Sequence, residues 1–117
     1  MKTLTDPRLS RGKCVVCEEG AEKLSSEEAE NLLESLDGWE FTHGGERIQK
    51  KWRVRNFIDA MGMLVRVARV AENEGHHPDM HLEQYRNVRI QLWTHALGGL
   101  SRNDFILAAK IDEIARP

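Results

Sequence analysis

Two hydrophobic periods alternate along this chain, and that alternation restricts its fold more than any single residue does. Two segments carry the two-residue period of a half-buried strand pair, and each is followed by a segment with the 3.6-residue period of an amphipathic helix. A strand pattern folded as a helix would turn its apolar side chains to water, so each segment is committed to one conformation.

The first helix is expected from Ser25. Ser25 and Glu28 stand three apart as a capping box, and Ala29, Leu32, Leu33 and Leu36 follow as one stripe. Asp37-Gly38 is expected to end it. Trp39 to His43 alternates as a strand, Gly44-Gly45 suits a hairpin turn, and Glu46 to Arg55 reads as the second strand. Ile48, Trp52 and Val54 share one face there. Arg47, Gln49, Lys51, Arg53 and Arg55 share the other, and Lys50 breaks the apolar side. That basic face is a solvated surface or an oligomer or anion contact. Asn56, with Asp59 three later, caps a long helix whose expected stripe is Phe57, Ala60, Met61, Leu64, Val65, Ala68 and Ala71. Met80–Tyr85 and Val88–Thr94 predict a second hairpin around Arg86-Asn87. Ser101 with Asp104 predicts a capped final helix bearing Leu107, Ala108, Ile111, Ile114 and Ala115.

The resulting order, αββαββα, predicts an α+β fold: a four-stranded, mainly antiparallel sheet with helices packed on one face. At 117 residues this is one domain. Residues 24–117 form it, and residues 1–23, aperiodic and marked by Pro7, Gly12 and Gly20, are expected to be an irregular N-terminal arm. An uncovered sheet edge predicts association of copies as a homodimer or homotetramer.

A net charge of -2 gives no electrostatic case for nucleic acid or an anionic membrane as partner. No apolar run approaches the roughly 20 residues of a membrane span. The N-terminus lacks the apolar centre of a secretory signal, so a cytoplasmic location is expected. Cys14 and Cys17 have the spacing of half a zinc site, but no second such pair completes it and no βαβ pattern supports a redox motif.

The chemistry concentrates in Glu72 to His81, which holds three of the five histidines. His95 follows after one hairpin. No nucleophile motif, phosphate loop or HExxH stands elsewhere. Paired imidazoles can serve as acid and base at neutral pH. Pro78 restricts its own backbone and that of His77, which limits where both rings point. Glu72 stands four residues before His76 and could orient its ring if the helix persists that far. A solvated pair of histidines is the plain alternative. A metal set of His76, His77, His81 and His95 is another, disfavoured because adjacent histidines rarely share one ion comfortably.

Taken together, Glu72-x3-His76-His77-Pro78, Tyr85 and Thr94-His95-x3-Gly99-Leu100-Ser101-x2-Asp104 resemble the signature of the pterin-4a-carbinolamine dehydratases. Gly38-Trp39 and Ala109-Lys110-Ile111-Asp112 look like the same family, and the resemblance spans roughly residues 24–115. It implies dehydration of a 4a-hydroxytetrahydropterin to the quinonoid dihydropterin, in the recycling of the pterin used by aromatic amino acid hydroxylases. It implies a pterin substrate and neither a metal nor an organic cofactor. By motif position His76 and His95 would transfer protons and His77 would hold the pterin, with a base role open to it. Glu72 would pair with the first histidine region, Asp104 would orient the His95 side, and Trp39 would help wall the pocket. The alternative is a dehydratase-like assembly or transcriptional partner that has lost its site. The complete histidine set argues against it.

Overall fold

The structure, a computed structural model, describes residues 7–12 and 22–115. Cys14 and Cys17 lie outside the described residues. Among the described residues there are four α-helices and four strands: α1 (Pro7–Ser10), α2 (Ser26–Glu34), β1 (Glu40–Thr42), β2 (Arg47–Arg53), α3 (Phe57–Glu74), β3 (Asp79–Glu83), β4 (Asn87–Leu92) and α4 (Arg102–Ile114). The order αββαββα therefore holds from α2 onward. Within the expected irregular arm, one helical turn, α1, docks on α4. There the Ser10 hydroxyl donates to Glu113 at 2.6 Å and Lys110 Nζ donates to the Ser10 carbonyl at 2.7 Å.

All strand neighbours are antiparallel, in the order β1-β2-β4-β3. Ile48 pairs with Leu92, Lys50 with Ile90 and Trp52 with Val88. Ile48, Val88, Ile90 and Leu92 are buried in a core shared with Met63 and Val67 of α3 and with Phe105, Leu107 and Ile111 of α4. Burying side chains of this size contributes about 1.5–3 kcal/mol each.

The helix starts behave as their sequences dictate. The Ser25 hydroxyl accepts the Glu28 N–H and the Glu28 carboxylate accepts the Ser25 N–H. Those Ser25 hydrogen bonds, the backbone one first, hold the exposed Glu28 carboxyl below its ordinary pKa. Its support of α2 is therefore present above the ordinary carboxylate pKa and lost as pH falls through the lowered one. Asn56 Oδ1 accepts the Asp59 N–H at 2.9 Å.

Four expectations need correction. First, α2 stops at Glu34, before Leu36, which is fully buried beyond the helix. Second, the buried stripe of α3 is Ala60, Met63, Val67 and Ala71. Phe57, Met61 and Val65 of the expected stripe face outward with Ile58, because α3 is apolar over a wider arc than the sheet can cover. Third, the second hairpin turns at Gln84-Tyr85-Arg86, and Asn87 already pairs with Glu83. Gln84 and Tyr85 adopt φ 49° and 57°, in the left-handed region. The turn is braced by Arg86 Nε donating to the Val54 carbonyl at 2.7 Å and by the Asn87 amide donating to Gln84 at 3.0 Å. Fourth, α4 is buried on nearly all sides from Asn103 to Asp112, well beyond a single stripe.

Lys50, the break in the apolar face of β2, is explained by α4. Its ammonium donates to Asp112 Oδ1 at 2.9 Å and to the Asp37 carbonyl at 2.8 Å. Asp112 also accepts the Trp39 indole N–H at 3.0 and 3.1 Å. Asp112 thus joins β2, α4 and the segment before β1. Asp112→Ala would leave the buried Trp39 indole N–H without its acceptor and the Lys50 ammonium with only the Asp37 carbonyl, a loss of about 3 kcal/mol in stability. Arg55→Ala, which removes only the exposed pair with Asp59, should cost under about 1 kcal/mol. Urea unfolding of the two variants measures both values.

Candidate active site

Gly75 decides where the first histidines go. It ends α3 with φ 66°, the left-handed conformation that glycine adopts at least cost. The His76 N–H then bonds back to the Ala71 carbonyl at 3.3 Å, wrapping the chain over the helix end. The helical spacing between Glu72 and His76 is lost there, so their expected pairing does not form. The His76 ring meets α4, and Nε2 lies 2.6 Å from Asp104 Oδ1. Glu72 pairs with His77, with Nε2 2.7 Å from Oε1.

The two carboxylate–imidazole pairs differ in environment. Asp104 is fully buried and the His76 side chain is 12% exposed, whereas His77 and Glu72 are 60% and 77% exposed. Water screens the outer pair and competes for both partners. The inner pair sits on a built support. Asp104 Oδ2 accepts the Thr94 hydroxyl at 2.8 Å and the Ser101 N–H at 2.9 Å. Thr94 Oγ1 and Ser101 Oγ are themselves 2.8 Å apart. The carboxylate stands in the first turn of α4, where the helix dipole favours negative charge.

An ionised carboxylate only accepts, so against an ionised Asp104 the proton facing it would sit on Nε2 of His76. In the neutral ring that leaves Nδ1 as the proton acceptor. The same reasoning applies to His77 against Glu72.

Asp104 also ties this region to the segment bearing His95. Thr94 pairs with Gly99 as an isolated bridge, and the Thr94 N–H donates to the Gly99 carbonyl at 2.8 Å. His95 stands on the short 3-10 turn His95–Leu97 inside that closed loop, exposed, with its ring centroid 4.1 Å from that of Trp93. Trp93 Nε1 donates to Asp79 Oδ2 at 3.3 Å, just past Pro78. The two histidine segments are thus joined from inside through Asp104 and from the open sheet face through Trp93.

Pro78 lies between His77 and the first residue of β3. Trp39 is placed elsewhere: its indole faces Asp112 and packs edge-on to Trp52 at 5.8 Å. Asp112 lies about two turns of α4, roughly 12 Å, from Asp104. His81 pairs in register with Arg89 within the sheet, and His43 forms the first hairpin turn beside Thr42. Among the described residues, no three His, Cys, Asp or Glu side chains converge as a metal-binding group.

Sequence reasoning did not single out Thr94 as a support, nor Trp93 and Asp79. The signal available for Thr94 was its place beside His95 at the start of the Ser101–Asp104 cap. For Trp93 and Asp79 only the sheet register brings the partners together.

Comparison with known proteins bears on the family and the fold. The family described as pterin 4 alpha carbinolamine dehydratase matches residues 22–114. This chain belongs to that family. An Arabidopsis thaliana protein named pterin-4-alpha-carbinolamine dehydratase 2, mitochondrial, is 44% identical over 109 residues, covering 91% of this chain and 58% of its own. The chain therefore spans little more than half of that plant relative. A Dechloromonas aromatica protein, provisionally named for the same dehydratase, is 40% identical over 110 residues, covering 94% of this chain and 96% of its own. The crystal structure of a transcriptional coactivator/pterin dehydratase from Brucella melitensis superposes with TM-score 0.76 at 32% identity, over 81% of this chain and all of that one. A pterin dehydratase-like protein identified as a RuBisCO assembly factor shares the fold, with TM-score 0.56 at 22% identity. The relatives' names are those of a dehydratase, a hydro-lyase, and the chain is an enzyme of that kind. No helix among the described residues is long and apolar enough to cross a membrane.

The unequal burial of the two acidic partners has a measurable consequence. Asp104→Ala would strand the Ser101 N–H in the interior, leave the Thr94 hydroxyl only Ser101 Oγ, and cost about 3 kcal/mol. Glu72→Ala, at the surface, should cost under about 1 kcal/mol. Thermal and urea unfolding would read the difference directly.

Proposed function

We propose that this protein dehydrates a 4a-hydroxytetrahydropterin to the quinonoid dihydropterin and water, within the recycling of tetrahydropterin for aromatic amino acid hydroxylation. The observation that carries the proposal is the His76–Asp104–Thr94 chain, which brings the two histidine-bearing segments of the family motif together around one buried carboxylate. The reaction breaks the C4a–O bond. Its electron pair leaves with oxygen, which takes a proton and departs as water, while the ring system gives up a proton as the new double bond forms. One acid and one base therefore suffice, and positioned proton transfers of this kind contribute typically about 10²–10⁴ in rate.

In this reading His76 and His95 are the proton-transfer pair. Asp104 holds Nε2 of His76 protonated and leaves Nδ1 to act as base. His95, which stands in water, donates a proton to the departing hydroxyl, which leaves as water, and is reprotonated from solvent. His77, oriented by Glu72, holds the pterin, and Pro78 limits the swing of that turn. Trp39 acts on the site only through the packing of α4.

Purified protein should accelerate dehydration of a 4a-hydroxytetrahydropterin, followed by absorbance against a buffer control. A folded protein no faster than buffer would sink the reading. His76→Ala combined with His95→Ala should lower kcat by at least about a hundredfold with the far-UV circular dichroism unchanged. Full activity in that variant would exclude the assignment.

The protein is also proposed to form a homodimer or homotetramer. The edge strand β3 and the outward apolar face of α3, with Ile58 76% exposed and Phe57 50% exposed, are surfaces that association would cover. Light scattering should give a mass at least twice the 13.4 kDa of one chain at micromolar concentration, and a monomer there would refute it.

A further inference from the structure

We propose that Trp93 is the positioning residue of His95: it holds the imidazole by stacking and is itself pinned to the turn that carries His76 and His77. The inference rests on the dehydratase reading and adds to it a residue that the family-motif assignment leaves out. His76 and His77 each face a carboxylate. Among the described residues, no hydrogen bond or ion pair holds the His95 ring. An exposed imidazole with two free side-chain torsions would spread over several rotamers, and a proton donor must be held close to one geometry.

The indole supplies the missing restraint. The two ring centroids are 4.1 Å apart and the planes are inclined by 37°. That is the spacing of a stacked aromatic pair, worth about 0.5–1.5 kcal/mol beyond simple burial. Trp93 can restrain His95 because it is restrained in turn. Its Nε1 donates to Asp79 Oδ2 at 3.3 Å, so it grips the first residue of β3, two positions after His77. The guanidinium carbon of Arg47 lies 4.2 Å from the indole centroid, a cation–π contact. Its backbone neighbours Leu92 and Thr94 are buried at 0% and 1% exposure, and Thr94 is bonded to Asp104. The indole therefore spans the open face of the sheet from β2 to β3 and fixes His95 relative to the His76-His77 turn.

A tryptophan serving only to stabilise the sheet would leave turnover unchanged. Three measurements separate the two roles. In the wild-type protein, the carbon-bound ring protons of His95 should be displaced upfield by the indole ring current, as read by NMR. Their absence from that region overturns the stack. In Trp93→Leu, kcat should fall about ten- to a hundredfold, with KM changed much less, since the lost contact orients a proton donor. Trp93→Phe keeps a flat ring but loses the N–H to Asp79, and should recover part of kcat. Wild-type turnover in folded Trp93→Leu overturns the proposal, and so does failure of Trp93→Phe to improve on Trp93→Leu. An inactive wild-type protein overturns the dehydratase reading itself, and with it any catalytic sense of the stack. An active wild type with an unaffected leucine variant overturns the positioning role alone.

Discussion

The buried carboxylate of Asp104 is the interaction on which the site depends. It caps α4 through the Ser101 N–H, receives the Thr94 hydroxyl from the loop after β4, and faces Nε2 of His76 from the turn after α3. Three segments distant in sequence thus meet at one group. A buried charge is costly unless its hydrogen-bonding capacity is filled, so the arrangement is close to all-or-none. With its partners in place the carboxylate rigidifies the junction, and without them it would be expelled to water. The geometry of the candidate site and the packing of α4 are in that sense one feature.

A second buried carboxylate plays the parallel part at the far end of α4. Asp112 holds Trp39 and Lys50, fixing that end of the helix to β2 and to the segment before β1. Because α4 is buried along nearly its whole length, it cannot tolerate unpaired polar groups, and each of these aspartates is matched to donors from the sheet side. The helix is thereby set against the sheet at both ends. Trp39, a tryptophan of the family pattern, thereby helps fix the seating of the helix whose other end carries Asp104.

The division between inner and outer partners also bears on function. His76 is held by a group out of water. His77 is held by Glu72 in solvent, where the interaction is screened. His95 has a stacking partner instead of an acid. Three chemically identical side chains thus occupy three environments, which is how one site can assign different proton roles to imidazoles.

Much of this was legible in the sequence. The two periods determined the element order and the α+β class, because side-chain direction follows directly from backbone conformation. The Ser25, Asn56 and Ser101 caps marked the helix starts, since a cap is a local hydrogen bond three residues long. The histidine motif indicated the site. Tertiary structure alone decided the partners. Gly75 turned the chain out of helical spacing, so His76 met Asp104 and Glu72 met His77. The width of the sheet chose which arc of α3 was buried, placing Met63 and Val67 inside and Met61 and Val65 outside. Lys50 looked like a flaw in its strand until Asp112 arrived from the last helix. Trp93 read as one more outward-facing residue until strand pairing set it between Asp79 and Arg47. Local hydrogen bonds and periodicity are encoded within a few residues, whereas a pairing between distant segments exists only once the chain has closed on itself.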